Sequence, residues 1–366
     1  MQVDTFLHQL IDQGFHPFMG VPCSLVKDLI NLIEQSSETE YYIATSEGEA
    51  VGLAGGFALA GKTPVVIMQN DGFGNTVNPL TSLQMLYNLP ALLIITWRGE
   101  PGGKPDAPQH SIMGAVLLDL LKTLNIPYQV LTDDHADTDK VLISAKKHCN
   151  EMRQPYAIIV RRGLFESQSI STNQMKPDLP LRMDYIKALA TKADEADIIL
   201  GTTGYTGREL KQVIQRPGTF YTAGSMGCLG SIGLALAIAQ PKRKVYILDG
   251  DGALLMKLGT LATIGLYQTS NLIHLVFDNG QYESTGGQAT ASKVVQFPTL
   301  ATSAGYRYAA SVNSIVAFDE FLEHARNETG PMMCHIRIPS GTIPDLKRPS
   351  QSPDQLRAEL QEFLLS

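Results

Sequence analysis

Two rhythms of apolar residues alternate along the chain. Short continuous apolar runs, YYIAT (41–45), PVVIMQ (64–69), ALLIITW (91–97) and YAIIVRR (156–162), read as strands buried on both faces. Between them apolar residues recur at helical spacing. Residues 4–14 (DTFLHQLIDQG) form a short amphipathic helix stopped by Gly14, and 24–34 (SLVKDLINLIE) a second with Ser24 as its N-cap. The second half repeats the style. ADIILGTTG (196–204) is a strand running into a glycine turn, followed by the helix GRELKQVIQ. KVYILDGDG (244–252) and NLIHLVFDNG (271–280) are strands ending in polar turns, MMCHIRI (332–338) is a late strand, and residues 352–365 form a terminal helix capped near Ser352 or Asp354. Strands alternating with helices predict parallel sheets, so the expected fold class is α/β, with two doubly wound parallel-sheet domains. The polar stretch 167–183 has no apolar period and reads as the linker between domains at 1–166 and 184–366. No internal sequence repeat accompanies the two halves.

A length of 366 residues suits two domains, each large enough for its own core. The 29 Lys and Arg against 36 Asp and Glu leave a net charge of −7, which disfavours nucleic acid or an anionic membrane as partner. Cys23, Cys149, Cys228 and Cys334 have neither disulfide-framework density nor metal spacing. The opening MQVDTFLHQL carries no secretory pattern, and a cytoplasmic protein is expected. Residues 217–241 are uncharged but hold glycines at 218, 224, 227, 230 and 233, which fits a Gly-rich turn and helix better than a bilayer span.

GFALAGKT (56–63) matches the phosphate-loop spacing GxxxxGK[ST]. A phosphate loop follows a strand and opens a helix. Here the order is reversed: EAVGLAGGFALA reads as a helix ending at Gly61, and Thr63 leads into the strand PVVIMQ.

The strongest chemical signal is YILDGDGALL followed by LVFDNGQYES. A buried strand runs into Gly250-Asp251-Gly252, and one helix and strand later the chain reaches Asp278-Asn279-Gly280, with 28 residues from Asp251 to Asn279. In a parallel sheet one strand–helix–strand unit brings both strand ends to the carboxyl edge, where ligands bind. A carboxylate and an amide oxygen there are hard ligands suited to Mg²⁺, and the glycines let the backbone approach a diphosphate. Read without that context, the two motifs are ordinary Asp-Gly and Asn-Gly turns.

With these motifs the sequence resembles the thiamine diphosphate-dependent enzymes, whose signature is GDG followed one such unit later by Asn. The resemblance implies thiamine diphosphate and Mg²⁺ as cofactors, with Asp251, Asn279 and the Gln281 carbonyl as metal ligands and Gly250, Gly252 and Ala253 beside the diphosphate. Asp278 stands where the family more often has Asn. In TSEGEAVGLAGGFALAGKTPVVI (45–67) nine residues separate Glu47 from Gly56, which by the family's spacing selects Glu47 over Glu49 as the glutamate that bonds the aminopyrimidine. Outside that comparison both glutamates are acids favoured at a helix N-terminus. In TAGSMGCLGSIGLALAIA (222–239) the resemblance places Gly224 and Ser225 at the cofactor and Met226 at the apolar wedge beneath it. A core methionine is the other reading of Met226.

GVPCSLVKDL (20–29), NDGFGNTVNPLTSL (70–83) and WRGEPGGKPDAPQH (97–110) narrow the resemblance to the short, two-domain decarboxylases of that family. These act on 2-oxo acids carrying a phosphonate or, as the runner-up, a sulfonate. The implied substrate is a small 2-oxo acid bearing a phosphonate, a group that needs cationic and amide donors. Arg98 and His110 are the candidates, with Asn75, Thr76 and Ser284 behind them. A solvated loop histidine and a structural salt-bridge arginine are the competing readings. The family builds its site between the pyrimidine-binding half of one subunit and the diphosphate-binding half of another, so self-association is implied. An ATP-dependent enzyme using Gly56–Thr63 and a catalytically silent subunit are the other classes. The second would have lost Glu47 or the metal ligands, and all are present.

Overall fold

The computed structural model describes residues 1–166, 178–343, 345–347 and 349–366. The chain divides into two compact units, Met1–Thr172 with Thr285–Ala289, and Asn173–Ser284 with Thr290–Ser366. Of the predicted linker, residues 167–177 lie outside the described residues. Arg182 and Met183, at its end, already open the helix Arg182–Lys192, whose Asp184 carboxylate accepts from the Leu181 N–H at 3.0 Å.

The N-terminal unit is a six-stranded parallel sheet built from β1 (Phe18–Gly20), β2 (Tyr41–Ile43), β3 (Val65–Gln69), β4 (Leu92–Thr96), β5 (Tyr128–Val130) and β6 (Tyr156–Val160). Their order across the sheet is β2-β1-β3-β4-β6-β5. The runs at β3, β4 and β6 have the burial they predict, because alternate residues serve opposite faces, whereas β2, expected to be buried on both faces, is only half-buried because it lies at the sheet's edge. Val65, Ile67, Leu92, Ile94 and Ile158 join one core with the helices Val3–Asp12 and Lys27–Gln35. Val66, Met68, Leu93, Ile95 and Ile159 join the other with the helix Glu47–Leu59. The second helix begins later than expected. Its N-cap is Val26, which offers no capping side chain, and the Ser24 Oγ instead lies 3.4 Å from Arg98 Nη1. The Gly56–Thr63 stretch lies at the end of the helix Glu47–Leu59, with Gly61 at φ +82° past its last turn, so no phosphate loop forms there.

The C-terminal unit has β7 (Ile198–Gly201), β8 (Thr219–Tyr221), β9 (Val245–Gly250), β10 (Leu272–Asp278), the two-residue strand β11 (Gln281–Tyr282), β13 (Tyr308–Val312) and β14 (Met332–Arg337), with the two-residue strand β12 (Gln288–Ala289) falling between β11 and β13 along the chain. β12 is grouped with the N-terminal unit, where Gln288 Nε2 donates to Asn31 Oδ1 at 2.9 Å. The unit's parallel sheet runs β13-β14-β10-β9-β7-β8. Its strands again divide by parity, Ile199, Tyr246, Leu248 and Leu275 on one core and Leu200, Ile247, Val276 and Met333 on the other. In the Gly-rich stretch only Leu229–Ala239 is helical. Gly233 lets it press on the sheet, for a Cβ there would lie 2.3 Å from Ile247. Among the described residues no helix is long and apolar enough to cross a membrane.

Candidate active site

In the N-terminal unit the candidate residues gather around three consecutive positions just past β3. Asn70, fully buried, brackets the Arg98 backbone: its Nδ2 donates to the Arg98 carbonyl at 2.8 Å and its Oδ1 accepts from the Arg98 N–H at 3.0 Å. Asp71 Oδ2 lies 2.7 Å from His110 Nδ1. Gly72 has no room for a side chain, since a Cβ there would fall 2.2 Å from Glu47 Oε1. One turn thus positions Arg98, His110 and Glu47. The NDGFGN run carried this signal, a polar Asn-Asp-Gly at the carboxyl end of a buried strand, but of its residues only Asn75 was among the expected site residues.

Glu47 and Glu49 sit in the first turn of the helix Glu47–Leu59 and are used differently. The Glu49 carboxylate accepts from the Thr45 N–H at 2.7 Å and the Thr45 hydroxyl at 2.5 Å, closing the helix start, while Ser46 caps the Glu49 N–H at 3.3 Å. Glu47 is buried at 6% exposure and accepts from Asn75 Nδ2 at 2.9 Å. Asn75, expected at the substrate, therefore holds Glu47. Thr76, also expected there, is fully buried with its hydroxyl donating to the Phe73 carbonyl at 2.7 Å, so it serves the turn itself.

Arg98 is not a free cation. Its Nε and Nη2 each donate to an Asp106 oxygen at 2.6 Å, a two-pronged pair, and Nη1 is left toward Ser24. Arg162 Nη2 reaches the same carboxylate at 3.2 Å, and its side chain is 39% exposed. Burial opposes ionisation of Asp106, but the Arg98 hydrogen bonds outweigh it and hold the carboxyl well below the usual range. Two arginines thus share one carboxylate. Asp71 is acceptor-only when ionised, so His110 Nδ1 carries the proton that faces it, leaving Nε2 beside Gln109 at 3.4 Å.

The C-terminal unit collects its candidates at the carboxyl ends of β7 to β10. Gly250 ends β9, and Asp251 opens the helix Asp251–Met256 at 3% exposure. Thr290 Oγ1 donates to Asp251 Oδ2 at 2.6 Å. Burial, with the charge of Asp278 second, pushes the Asp251 carboxyl up to about 7. Gly252 must be glycine, because a Cβ would stand 2.6 Å from the Tyr282 ring, and Ala253 continues the buried turn. After β10, Asn279 Nδ2 donates to Glu283 at 3.1 Å and its Oδ1 accepts from the Gln281 N–H at 3.0 Å. The Glu283 carboxylate only accepts, so the amide is oriented with its oxygen on the other side. Gln281 Oε1 accepts from Ser340 at 2.9 Å. Ser284 is exposed, with its Oγ 3.3 Å from where a Cβ of Gly204 would be. Gly224, Ser225 and Met226 lie in the loop between β8 and the helix Leu229–Ala239, with Ser225 at φ +54°.

Two residues here were missed. Thr202 and Thr222 follow β7 and β8, are buried, and their hydroxyls have no partner among the described residues. β7 and β9 are neighbours, and Thr202 Cγ2 is 4.0 Å from where a Cβ of Gly250 would stand. The strand order turns back at this point, which is where such sheets bind ligands. A buried unpaired hydroxyl is costly, and an anion beside Gly250 would satisfy that of Thr202. Oxygen donors from Asp251, Asn279 and a backbone carbonyl, together with these hydroxyls and glycines, fit a divalent cation and a diphosphate.

The chain matches the thiamine pyrophosphate enzyme N-terminal binding domain over residues 2–117 and the C-terminal binding domain of the same enzymes over residues 202–336. It is 34% identical to a phosphonopyruvate decarboxylase of Streptomyces viridochromogenes, the match covering 96% of this chain and 92% of that protein. It is 35% identical to a phosphonopyruvate decarboxylase of Streptomyces hygroscopicus over 99% of this chain and 94% of that one. A sulfopyruvate decarboxylase of Methanosarcina acetivorans is 30% identical over 82% of this chain and 83% of its own length.

Proposed function

The chain belongs to the thiamine pyrophosphate enzymes, and within them we propose that it is a carboxy-lyase converting 3-phosphonopyruvate to phosphonoacetaldehyde and CO₂, a step of phosphonate biosynthesis. The observation that carries this is the near full-length similarity to two phosphonopyruvate decarboxylases. The arginine cluster Arg98–Asp106–Arg162 at the carboxyl edge of the N-terminal sheet supports it.

Asp251, Asn279 and the Gln281 carbonyl would hold Mg²⁺, and Thr202, Thr222, Gly224, Ser225, Gly250, Gly252 and Ala253 would line the diphosphate. Met226 would support the bent cofactor from below. When bound, thiamine pyrophosphate supplies the electron sink that lets the carboxylate of a 2-oxo acid leave as CO₂. Glu47, backed by Gly72 and held by Asn75, would bond the aminopyrimidine and move its proton. His110 offers Nε2 as a proton carrier, with Asp71 fixing its tautomer. Arg98 Nη1 and the half-exposed Arg162 provide the charge that a phosphonate dianion needs, with Ser24 and Ser284 as hydroxyl donors. The N-terminal unit would act as the pyrimidine-binding domain and the C-terminal unit as the diphosphate domain. Pairing of these halves between subunits would make the enzyme a homo-oligomer, with a cytoplasmic location in the same reading.

The test is turnover of three substrates with thiamine diphosphate and Mg²⁺. A site built around a charged group rejects analogues lacking it by roughly 10⁴–10⁵, because its own buried donors are left unpaired. Phosphonopyruvate should be turned over efficiently, sulfopyruvate less well and pyruvate barely. Arg162→Ala should slow phosphonopyruvate while leaving the poor pyruvate rate unchanged. A wild type preferring sulfopyruvate would replace the reading.

A further inference from the structure

The turn that carries Asn279 and the turn that carries Asp251 are joined by a row of polar side chains to which neither motif assigns a role. His335 on β14 stands directly opposite Ser311 on β13 in the ladder and beside β10 on its other flank. Its Nδ1 lies 2.9 Å from Ser311 Oγ, and its Nε2 lies 2.9 Å from Asp278 Oδ2. An ionised carboxylate only accepts, so Nε2 carries the proton and Nδ1 takes the Ser311 hydroxyl. The imidazole is 8% exposed and packs against Phe297 at 5.3 Å between ring centroids, so its plane is held as well as its polar atoms.

Asp278 passes this order on. Its other oxygen accepts from the Gly280 N–H and from Ser292 Oγ, both at 2.9 Å. The first bond closes the turn around Asn279, with Gly280 at φ +70°. Ser292 in turn donates its N–H to Thr290 Oγ1 at 3.3 Å, and the Thr290 hydroxyl donates to Asp251 Oδ2 at 2.6 Å. Each hydroxyl proton is directed at one carboxylate, so the row joins Ser311 to Asp251 through His335, Asp278, Ser292 and Thr290. His335 joins three strands at once, and removing it would leave a largely buried carboxylate with no cationic or imidazole partner among the described residues.

We propose that His335, oriented by Ser311, is a positioning residue for the metal site. It holds Asp278 so that the turn presents the Asn279 oxygen and the Gln281 carbonyl while Asp251 faces them. The inference rests on the reading of Asp251 and Asn279 as metal ligands. It adds a role that acts on affinity for Mg²⁺ without touching cofactor or substrate.

The experiment is calorimetric titration of Mg²⁺ in the presence of thiamine diphosphate, alongside thermal melting of the cofactor-free protein. His335→Leu should weaken Mg²⁺ roughly 10–100-fold, as loss of groups that orient metal ligands does. His335→Gln, whose amide nitrogen replaces Nε2, should recover most of it. Ser311→Ala, a mild change that keeps the fold, should weaken Mg²⁺ several-fold and decides the matter if His335→Leu does not fold. Wild-type affinity in Ser311→Ala and in a folded His335→Leu would overturn the proposal, as would loss in His335→Gln equal to that in His335→Leu. Asp251→Ala separates the two levels. If it too keeps wild-type Mg²⁺ affinity, the metal reading fails along with the inference. If it abolishes binding while His335→Leu does not weaken it, the positioning role alone fails.

Discussion

Counted along the chain, the two sheets have the same strand order. The N-terminal one runs β2-β1-β3-β4-β6-β5, and the C-terminal one, read from its other end, β8-β7-β9-β10-β14-β13. The third strand of each leads into an Asp-Gly pair, Asp71-Gly72 after β3 and Asp251-Gly252 at the end of β9. In both, glycine is required because another side chain fills its space, Glu47 at Gly72 and Tyr282 at Gly252. The aspartates differ. Asp71 is paired with His110, and Arg98 and Arg162 share Asp106, so at that edge the carboxylate of Glu47 stands without a cationic partner among the described residues. Asp251 has a hydroxyl partner, and the nearby Asp278 carboxylate adds to the like charge there. One scaffold thus supports two electrostatic designs. On the proposed reading, the first would present the single carboxylate of Glu47 to the cofactor, and the second would gather carboxylates that a cation neutralises.

Removing that cation should give the largest effect. Chelation with EDTA should abolish turnover, and Mg²⁺ with thiamine diphosphate should restore it. Asp251→Ala should lose cofactor binding severely. Taking away the carboxylate also removes a buried charge, so the apoprotein of this variant should melt no lower than wild type in a thermal scan. A variant that binds cofactor normally would erase the contrast between the two edges.

Much of that contrast was legible in the sequence, and what was not has a common cause. The runs at β3, β4, β6, β9 and β10 were read correctly because both faces of a central parallel strand demand apolar side chains. The short strands Phe18–Gly20 and Tyr128–Val130 were missed, as was Tyr308–Val312, whose residues are largely half-buried or exposed. Three residues, or a wet edge, leave no period to count. Ser352 was legible as a cap because its partner Gln355 is local. Ser24 was misread because its partner, Arg98, lies 74 residues away. The same non-local pairing hid Asp106, Asp71 and His335, whose roles depend on which strand ends the sheet places together. Thr202 and Thr222 carried no motif, and only their burial without partners marks them.

The second effect in size concerns the N-terminal edge. Glu47→Gln keeps the shape and the Asn75 contact but cannot exchange a proton in the same way. Cofactor should still bind while turnover falls by orders of magnitude, at about 1.4 kcal/mol of barrier per tenfold. Gly72→Ala tests the same carboxylate without touching its charge. The added methyl would overlap Glu47 Oε1, so the carboxyl must move, and turnover should drop with cofactor affinity less affected. Normal turnover in Gly72→Ala would mean that the position of Glu47 does not matter, and the N-terminal edge would lose its catalytic half of the comparison.

The smallest effect should come from the neighbour two residues on. Glu49 has the same side chain, the same helix and the same first turn, but its carboxylate accepts from the N–H and the hydroxyl of Thr45, which closes the helix start. Glu49→Gln retains one acceptor oxygen and loses a charge at the helix N-terminus, where an acid contributes about 0.3–1 kcal/mol. In a protein of this size that should lower the melting temperature by only a few degrees, roughly 2–4 °C per kcal/mol for a unit of 150–250 residues. Turnover should stay near wild type, since the Glu49 carboxylate is engaged with the backbone and hydroxyl of Thr45. Pairing this variant with Glu47→Gln therefore tests whether the buried position or the acid itself matters. A stable but inactive Glu49→Gln beside an active Glu47→Gln would exchange their roles, and with them the reason Gly72 must be glycine.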